Sequence, residues 1–428
     1  MYDRIKGFRD FYPGEMSARR EVIDDVEKVA QRYGFREIGT PALERTQMYA
    51  DKSGEEIVEE LFNFTDNGGR EVAMTPELTP TVARMVVEKQ QALSKPIKWV
   101  SSRPFWRYEA VQQGRFREFY QTNVDIFGSA EPIADAEILA YAADALTELG
   151  LTSDDFEFRV SHRDILGGLL ESFDADVDTE AAIRAVDKRD KLAVGEYRAL
   201  LGDAGLSEAD AEAFDELLAT EEENLDELVA AADTERVENA VGNLQDVLDA
   251  TADLGARDYC TLSLDTARGL DYYTGVVFEC FDTTGTVGRA VFGGGRYDDL
   301  IEGFGGQPTP AVGVALGMAT LSLLCERAGV WPAETTTTDY YVLQVGDTRE
   351  TAAGITRELR ERCHVVETDI AGRSFGAQLE YADSIGAETT VIVGEQDLAD
   401  GNVTVKEMAS GDQRQVPVDE FPDSSERK

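Results

Sequence analysis

The chain is almost without histidine: two occur in 428 residues, His162 and His364. That leaves hardly any material for a Ser-His-Asp mechanism or a histidine-held metal. Four cysteines (Cys260, Cys280, Cys325, Cys363) are scattered and form no C-x-x-C pair, which points to a reducing cytosol and away from a zinc site. No resident metal is expected. No run of about 18 apolar residues occurs, so no membrane span is expected. The start, Met1-Tyr2-Asp3-Arg4, lacks the basic segment and apolar stretch of a secretory signal, so a cytoplasmic location is expected. Basic residues are scarce as well. Lysine is rarer than arginine, and neither occurs between Arg198 and Arg236.

What the chain has in excess is acid: 84 Asp and Glu against 41 Lys and Arg, a net charge of −43. Taken alone, this argues against a polyanionic partner. The acids are spread along the chain, whereas an interaction tail would be a localised block. Dense, dispersed carboxylates fit a protein kept hydrated in molar salt. At about 1 M salt the Debye length is ~3 Å, so distant acids would not repel a nucleic acid. The charge therefore leaves RNA open as a partner.

With 42% hydrophobic and 29% charged residues the chain reads as globular, and its length allows two or three domains. Ser17 reads as the N-cap of a helix with apolar positions Val22, Val26, Val29 and Tyr33, ending at Gly34. An extended segment runs from Phe35 to Thr40 and stops at Pro41. Leu61–Phe64 and Val72–Met74 flank the turn Asp66-Asn67-Gly68-Gly69, a hairpin pattern. Thr79 followed by Pro80 reads as an N-cap and first-turn proline, and Pro132 opens a helix ending near Gly150. His162 precedes the helical stretch Arg163–Leu170, where a capping role suits it.

The division expected is 1–170 and 257–331 as the two parts of one domain, and 171–256 as a helical insertion rich in alanine, leucine and acid. Pro332 to Thr338 reads as a linker. Residues 339–428 form a small α/β domain, with strands at Tyr340–Val345, Val365–Glu367 and Thr389–Val393 and helices between them.

Four stretches could carry chemistry. Arg268-Gly269-Leu270-Asp271-Tyr272-Tyr273 sets a guanidinium, a carboxylate and two phenols around a glycine. Arginine's planar fork suits a phosphate or carboxylate, although spacing alone is equally met by a surface turn entering a strand. Residues Trp99 to Gly128 form two extended runs around the loop Gln112-Gln113-Gly114-Arg115. On the first, Arg103, Phe105, Arg107 and Glu109 share a face, and on the second Phe119, Gln121, Asn123, Asp125 and Phe127 share one. Amides and an acid between aromatics read as a polar pocket or as an exposed charged ribbon. Glu77, in Met74-Thr75-Pro76-Glu77-Leu78-Thr79, lies at a helix start, where it could receive an amine or offset the helix dipole. Gly293-Gly294-Gly295-Arg296-Tyr297-Asp298 would let a ligand approach the backbone closely. It matches neither a phosphate loop nor a dinucleotide fingerprint.

Together these strings make the chain resemble the histidyl-tRNA synthetases, class II aminoacyl-tRNA synthetases, along nearly its whole length. The carrying residues are Thr75 to Thr79, Phe105 to Glu109 with Gly114 to Gln121, Arg268 to Tyr273, and Gly294 to Asp298. The acidic surface suggests a haloarchaeal version. The resemblance implies an α+β catalytic domain on an antiparallel sheet flanked by helices, a helical insertion and a C-terminal α/β anticodon-binding domain. It also implies a homodimer with Pro41 at its interface. The implied reaction is ATP-dependent ligation of L-histidine to tRNA(His) through histidyl-adenylate, with ATP as substrate and Mg²⁺ on its phosphates. The histidine-binding positions implied are Glu77, Leu78, Thr79, Arg107, Gln121, Asp125, Arg268, Tyr272 and Tyr273. Asp125 and one of the two tyrosines would meet the imidazole, and Glu77, Thr79 and Gln121 the α-amino group. Arg107, Glu109 and Arg115 would bind ATP, and Arg107 and Arg268 would be catalytic.

Three departures from the family pattern stand out. Gly317-Met318-Ala319-Thr320 replaces a motif that usually ends Gly-Leu-Glu-Arg, so an ATP-binding arginine is missing at Thr320, with Arg115 or Arg296 as possible substitutes. Ala110-Val111-Gln112 lacks the charged residue and proline expected in that loop. Ser374 to Gln378 lacks the lysines often seen on that helix. The missing arginine favours a second reading, a catalytically reduced paralogue such as a histidine-sensing regulatory subunit of ATP phosphoribosyltransferase. The C-terminal domain, the insertion and the intact Arg268 to Tyr273 run argue against it. A purely RNA-binding protein leaves the Gln121/Asn123/Asp125 face unexplained, and a synthetase for another amino acid disagrees with the Arg268 run.

Overall fold

A proline, and not the serine after it, sets the first helix. The computed structural model describes residues 2–50, 59–173, 177–189, 192–266, 272–335 and 338–421. Helix α1 (Pro13–Arg32) begins at Pro13, where a fixed φ suits the first turn and the absent N–H costs nothing. Glu15 reaches back to accept the Tyr12 N–H at 3.0 Å. Ser17, expected as the cap, is therefore inside the helix: a first-turn proline with a carboxylate reaching back outweighs a hydroxyl one turn later.

The chain divides into two compact units, residues 1–10 with 20–332, and residues 11–19 with 333–428. In the larger unit β1 (Arg36–Glu37) is followed by β2 (Leu43–Arg45), the short helix α2 (Thr46–Ala50), β3 (Asn63–Thr65) and β4 (Glu71–Met74). Strands β2, β4 and β3 form a three-stranded sheet in that order. The β3–β4 turn is the expected hairpin, with the Asp66 carboxylate accepting the Gly68 and Arg70 N–H groups at 2.8 and 2.9 Å.

Helix α3 (Thr79–Lys89) caps on Leu78, one residue before the expected Thr79, and has no side-chain cap bond. Strands β5 (Ile97–Trp106) and β6 (Glu118–Phe127) form the long hairpin read from the sequence, with Trp99 opposite Asp125 and Arg103 opposite Gln121. Helix α4 (Pro132–Glu148) opens on its proline as expected, and β7 (Phe156–His162) leads into α5 (Arg163–Phe173). His162 caps that helix, its Nδ1 accepting the Asp164 N–H at 3.2 Å. Burial pushes its pKa down to about 4, against the pull of Asp164 and Asn243, so it stays neutral.

Five helices follow among the described residues: α6 (Thr179–Asp187), α7 (Val194–Asp203), α8 (Glu208–Leu218), α9 (Leu225–Ala232) and α10 (Glu235–Asp253). Helix α10 packs on α4 and α5, so this segment shares its core with the rest of the unit. The chain then forms β8 (Cys260–Leu262), β9 (Val276–Asp282), β10 (Phe292–Arg296), α11 (Leu300–Gly303), β11 (Ala311–Gly317) and α12 (Met318–Ala328). The large sheet runs β1-β5-β6-β11-β10-β9-β7-β8. Its inner pairings are antiparallel, while β1 on β5 and β8 on β7 are parallel. The expected antiparallel sheet is thus mixed at its two edges.

The second unit carries β12 (Thr338–Val345), α13 (Arg349–Glu361), β13 (Val366–Thr368), α14 (Phe375–Ser384), β14 (Ala387–Gly394), α15 (Glu395–Ala399), β15 (Asn402–Glu407) and β16 (Gln413–Pro417). Its sheet order is β13-β12-β14-β15-β16, parallel through the first three strands and antiparallel beyond. The two antiparallel strands were not read from the sequence. Exposed polar residues dominate β16, and only Val416 in it is buried, so the alternation that marks a strand is faint. Among the described residues no helix is long and apolar enough to cross a membrane.

Candidate functional site

A cavity of about 310 Å³ opens on the large sheet where two neighbouring strands, β10 and β11, have almost no side chains on one face. On β6 the alternation puts Gln121, Asn123 and Asp125 on one face, and the β11 residues directly opposite are Gly317, Ala315 and Gly313. Across the next pairing, Ala315 and Gly313 face Gly293 and Gly295 of β10. Directly opposed residues share a face, so the polar row of β6 looks over a floor of glycine and alanine. The floor leaves no room to spare. A methyl on Gly313 would overlap Asp125 Oδ1 and stand 2.9 Å from the Val124 carbonyl, and one on Gly295 would lie 2.7 Å from the Val276 carbonyl and 3.0 Å from the Tyr273 ring. The glycine run was read as allowing close backbone approach. Its use here is to leave space above the sheet.

Polar groups converge on this space. Tyr272 donates its hydroxyl to Glu77 Oε2 at 3.3 Å, Gln121 Nε2 donates to Asn123 Oδ1 at 2.8 Å, and Arg107 Nε donates to the Pro76 carbonyl at 2.9 Å. Thr79, Tyr273, Asp187 and Glu279 add to the wall. Thr79 thus lines the cavity from the first turn of α3 and does not serve as its cap. Leu78 differs from its neighbours: it is fully buried against Val82 and Val86, so its side chain is core and lines no part of the cavity. Arg268 to Asp271 lie outside the described residues.

The sequence reading missed Asp187, Glu279 and Tyr297 of this cavity. Tyr297 follows β10 on the same face as Gly293 and Gly295 and donates its hydroxyl to Asp125 Oδ1. Burial pushes the Asp125 carboxyl up to about 7, and the Tyr297 bond partly offsets it. Burial, with Asp125 adding to it, pushes the Tyr297 phenol well above its ordinary range, so the tyrosine is the donor of the pair.

A second cavity of about 210 Å³ adjoins the first and shares Arg107, Gln121 and Ala315 with it. Glu109, expected here, is buried and holds Arg115 through both carboxylate oxygens, the Nη2–Oε1 bond measuring 2.9 Å. That bond raises the Arg115 guanidinium above its usual range. Arg107 Nη1 lies 3.7 Å from the same carboxylate. Phe116, Phe119 and Phe292 give apolar wall, and Thr320 and Arg289 face the same space.

Of the two arginines considered for the vacancy at Thr320, Arg115 lines the cavity and Arg296 does not. Arg296 is buried and bound to both Asp135 oxygens, to the Ser129 carbonyl at 3.0 Å and to Asp298 at 3.1 Å. A guanidinium held on that many acceptors serves packing between β10 and α4.

Comparison with known proteins accounts for the whole chain. The family described as histidyl-tRNA synthetase matches residues 7–321. The chain belongs to the histidyl-tRNA synthetase family. Residues 339–426 match the anticodon binding domain. Among curated relatives, the histidine–tRNA ligase of Natronomonas pharaonis is 72% identical over 99% of this chain and 97% of its own length. That of Haloarcula marismortui is 70% identical over 100% and 98%, and that of Pyrococcus abyssi 38% over 98% and 97%. Among solved structures, a histidyl-tRNA synthetase from Nostoc sp. PCC 7120 superposes with a TM-score of 0.81 at 23% identity, covering 98% of this chain and 97% of that one.

A Bacillus halodurans structure described as an ATP phosphoribosyltransferase regulatory subunit/histidyl-tRNA synthetase gives 0.77 at 22%, covering 92% and 98%. Both likenesses show the fold alone. The full-length relatives at about 70% identity are what disfavour the regulatory reading.

Proposed function

We propose that the chain ligates L-histidine to tRNA(His) in two steps, through histidyl-adenylate. What carries the reading is the polar row Gln121, Asn123 and Asp125 over a glycine floor, opening at Arg107 into an arginine-lined cavity. The first cavity takes histidine. Asp125 accepts an imidazole N–H, with Tyr273 beside it. Glu77 and Thr79, with Gln121, receive the α-amino group, and the Tyr272 hydroxyl holds Glu77 in place. The adjoining cavity takes ATP, with Glu109 at the adenine edge and Arg115 and Arg107 on the phosphates.

Arg107, at the junction of the two, and Arg268 clamp the histidine carboxylate and the α-phosphate for in-line attack. The carboxylate oxygen bonds to the α-phosphorus and pyrophosphate leaves with the bonding pair. The 3′-terminal ribose hydroxyl of the tRNA then attacks the acyl carbon and displaces AMP. Positioning and charge neutralisation supply most of such a rate enhancement. Mg²⁺ arrives on the triphosphate as part of the substrate, since it binds through phosphates and one or two carboxylates and keeps several waters. Glu279, which lines the first cavity, is of the right chemistry to face it.

The C-terminal unit holds the tRNA. A cavity of about 480 Å³ there, lined by Arg349, Arg357 and Arg360 against Glu361 and Asp369, supports this, as an excess of cations on one face of an acidic chain suits nucleic acid. A homodimer in a cytosol of molar salt completes the reading. The net charge of −43 and the haloarchaeal relatives support the salt.

Histidine-dependent ATP–pyrophosphate exchange in molar KCl, followed by charging of tRNA, tests the proposal. Arg268→Ala is expected to lower exchange by ~100-fold or more with the fold intact, as for the loss of one oxyanion donor. Near-normal exchange in that variant would sink the role of Arg268, and absence of exchange in the unaltered protein would sink the function.

A further inference from the structure

The charges in the second cavity do not balance. Three guanidinium groups line it, Arg107, Arg115 and Arg289, against the single carboxylate of Glu109. Arg115 and Arg107 already share that carboxylate. Among the described residues Arg289 forms no ion pair, and its bond to protein is a long one, Nη1 to the Gln113 carbonyl at 3.4 Å. Burial, and then the like charge of Arg115, hold its guanidinium below the usual range. A partly buried cation beside another cation is a cost to the fold unless an anion arrives to offset it.

The loop that carries Arg289 is built to hold it there. Between β9 and β10 the chain turns through Gly285 and Gly288, at φ +70° and +68°. The Asp282 carboxylate accepts the Thr284 and Val287 N–H groups at 3.0 and 2.9 Å, and the Val291 N–H returns to the Cys280 carbonyl at 2.7 Å. Thr320 donates its hydroxyl to the Val291 and Gly317 carbonyls. The first turn of α12 therefore ties down the chain two residues after Arg289 and brings no charge of its own. The cation in this part of the cavity is supplied by Arg289.

We propose that Arg289 binds the terminal phosphates of the nucleotide triphosphate. The assignment rests on the reading that this cavity takes ATP. In it Arg107 serves the α-phosphate beside the histidine cavity, and Arg289 serves the far end of the polyphosphate. Arg115 lies between them, fixed by Glu109. A planar guanidinium that is partly buried and makes one long protein bond keeps most of its donors for a ligand, so phosphate oxygens displace little protein contact when they bind.

Kinetics of the full-length protein in molar KCl test this, with Arg289→Ala and Arg289→Lys compared in histidine-dependent ATP–pyrophosphate exchange. The alanine variant is expected to raise KM for ATP by roughly 10- to 100-fold, the loss of one charge-assisted bond. KM for histidine is expected to stay within about twofold, and lysine to restore part of the loss because it keeps the charge and loses the fork. Calorimetric titration with inorganic triphosphate should weaken in parallel.

An unchanged KM for ATP would overturn the proposal, and so would an equal rise in both KM values. A defect confined to the charging step would overturn it too, and would assign Arg289 to the tRNA end. If the unaltered protein showed no exchange, the function would fail, and the triphosphate titration would still decide whether Arg289 binds a polyphosphate.

Discussion

The two cavities meet at Arg107 and Gln121 and are built on opposite principles. The cavity proposed for histidine is fitted. Its floor is glycine and alanine on β10 and β11, and its carboxylate Asp125 is buried, raised to about 7 and hydrogen-bonded by Tyr297. The cavity proposed for the nucleotide is charged. Its walls carry three arginines for one acid, and one of those arginines has no counter-ion among the described residues. A fitted site discriminates by leaving a wrong ligand's partners unpaired, whereas a charged site attracts any polyphosphate and needs less shape. Substitutions on the sheet floor should therefore act on histidine alone.

The largest effect is expected from Gly313→Ala. Its methyl would displace Asp125 Oδ1 and press on the Val124 carbonyl, both on a strand fixed by its register with β11. Misplacement of a binding group by about 1 Å can cost ~100-fold, and KM for histidine should rise by about that much. Overpacking of this kind typically costs about 1–3 kcal/mol, which a thermal melt would register. KM for ATP should stay within about twofold, and an equal rise in both would erase the distinction between the cavities.

Asp125→Asn should rank second, because it keeps the shape and removes the charge. Loss of a charged acceptor predicts a KM for histidine roughly 10- to 100-fold higher. The sign of the pH effect follows from the raised pKa. The folded carboxyl keeps its proton up to about 7, against an ordinary value of 3.8, so between those values the unfolded state binds fewer protons. Stability contributed by this group is therefore lost as pH rises through that window, and the difference in melting temperature between wild type and the asparagine variant should move that way from pH 4 to 7. Binding runs in the opposite direction. The ionised carboxylate is the stronger acceptor for an imidazole N–H, so the wild-type KM for histidine should fall as pH rises through about 7. The variant would retain only the titration of free histidine itself, and matching profiles in the two proteins would remove Asp125 from the imidazole.

What could be read from the sequence divides along the same line. The fitted cavity was legible wherever one strand carried its signal. Alternation put Gln121, Asn123 and Asp125 on one face, and the hairpin in the structure pairs them with Arg103, Ser101 and Trp99. Leu78 was carried along by its neighbours, although an apolar residue between Glu77 and Thr79 packs inward. Tyr297 was not legible, since its partner lies 172 residues away and meets it only through the strand order β6-β11-β10. In the charged cavity Arg289 is one arginine in a glycine-containing loop, and no local pattern marks it. Arg296 looked as available as Arg115 until the fold placed Asp135 beneath it. Local alternation reports what one strand presents, and charge balance is a property of several elements brought together.

The smallest effect is the most specific. Tyr297→Phe removes the hydroxyl that holds Asp125 Oδ1 and leaves the ring, whose edge-to-face contacts with Phe127 and Tyr272 hold it in the core. The lost bond is a single one, worth about 2- to 10-fold in KM for histidine. Because the bond favours the ionised carboxylate, its loss leaves burial unopposed and should move the midpoint of the KM–pH profile upward from about 7. A merely structural tyrosine would raise KM at every pH and leave the midpoint where it was. An upward shift with KM for ATP unchanged would make Tyr297 the positioning residue of the imidazole end. A shift in KM for ATP would instead show that the two cavities, despite their different construction, respond as one.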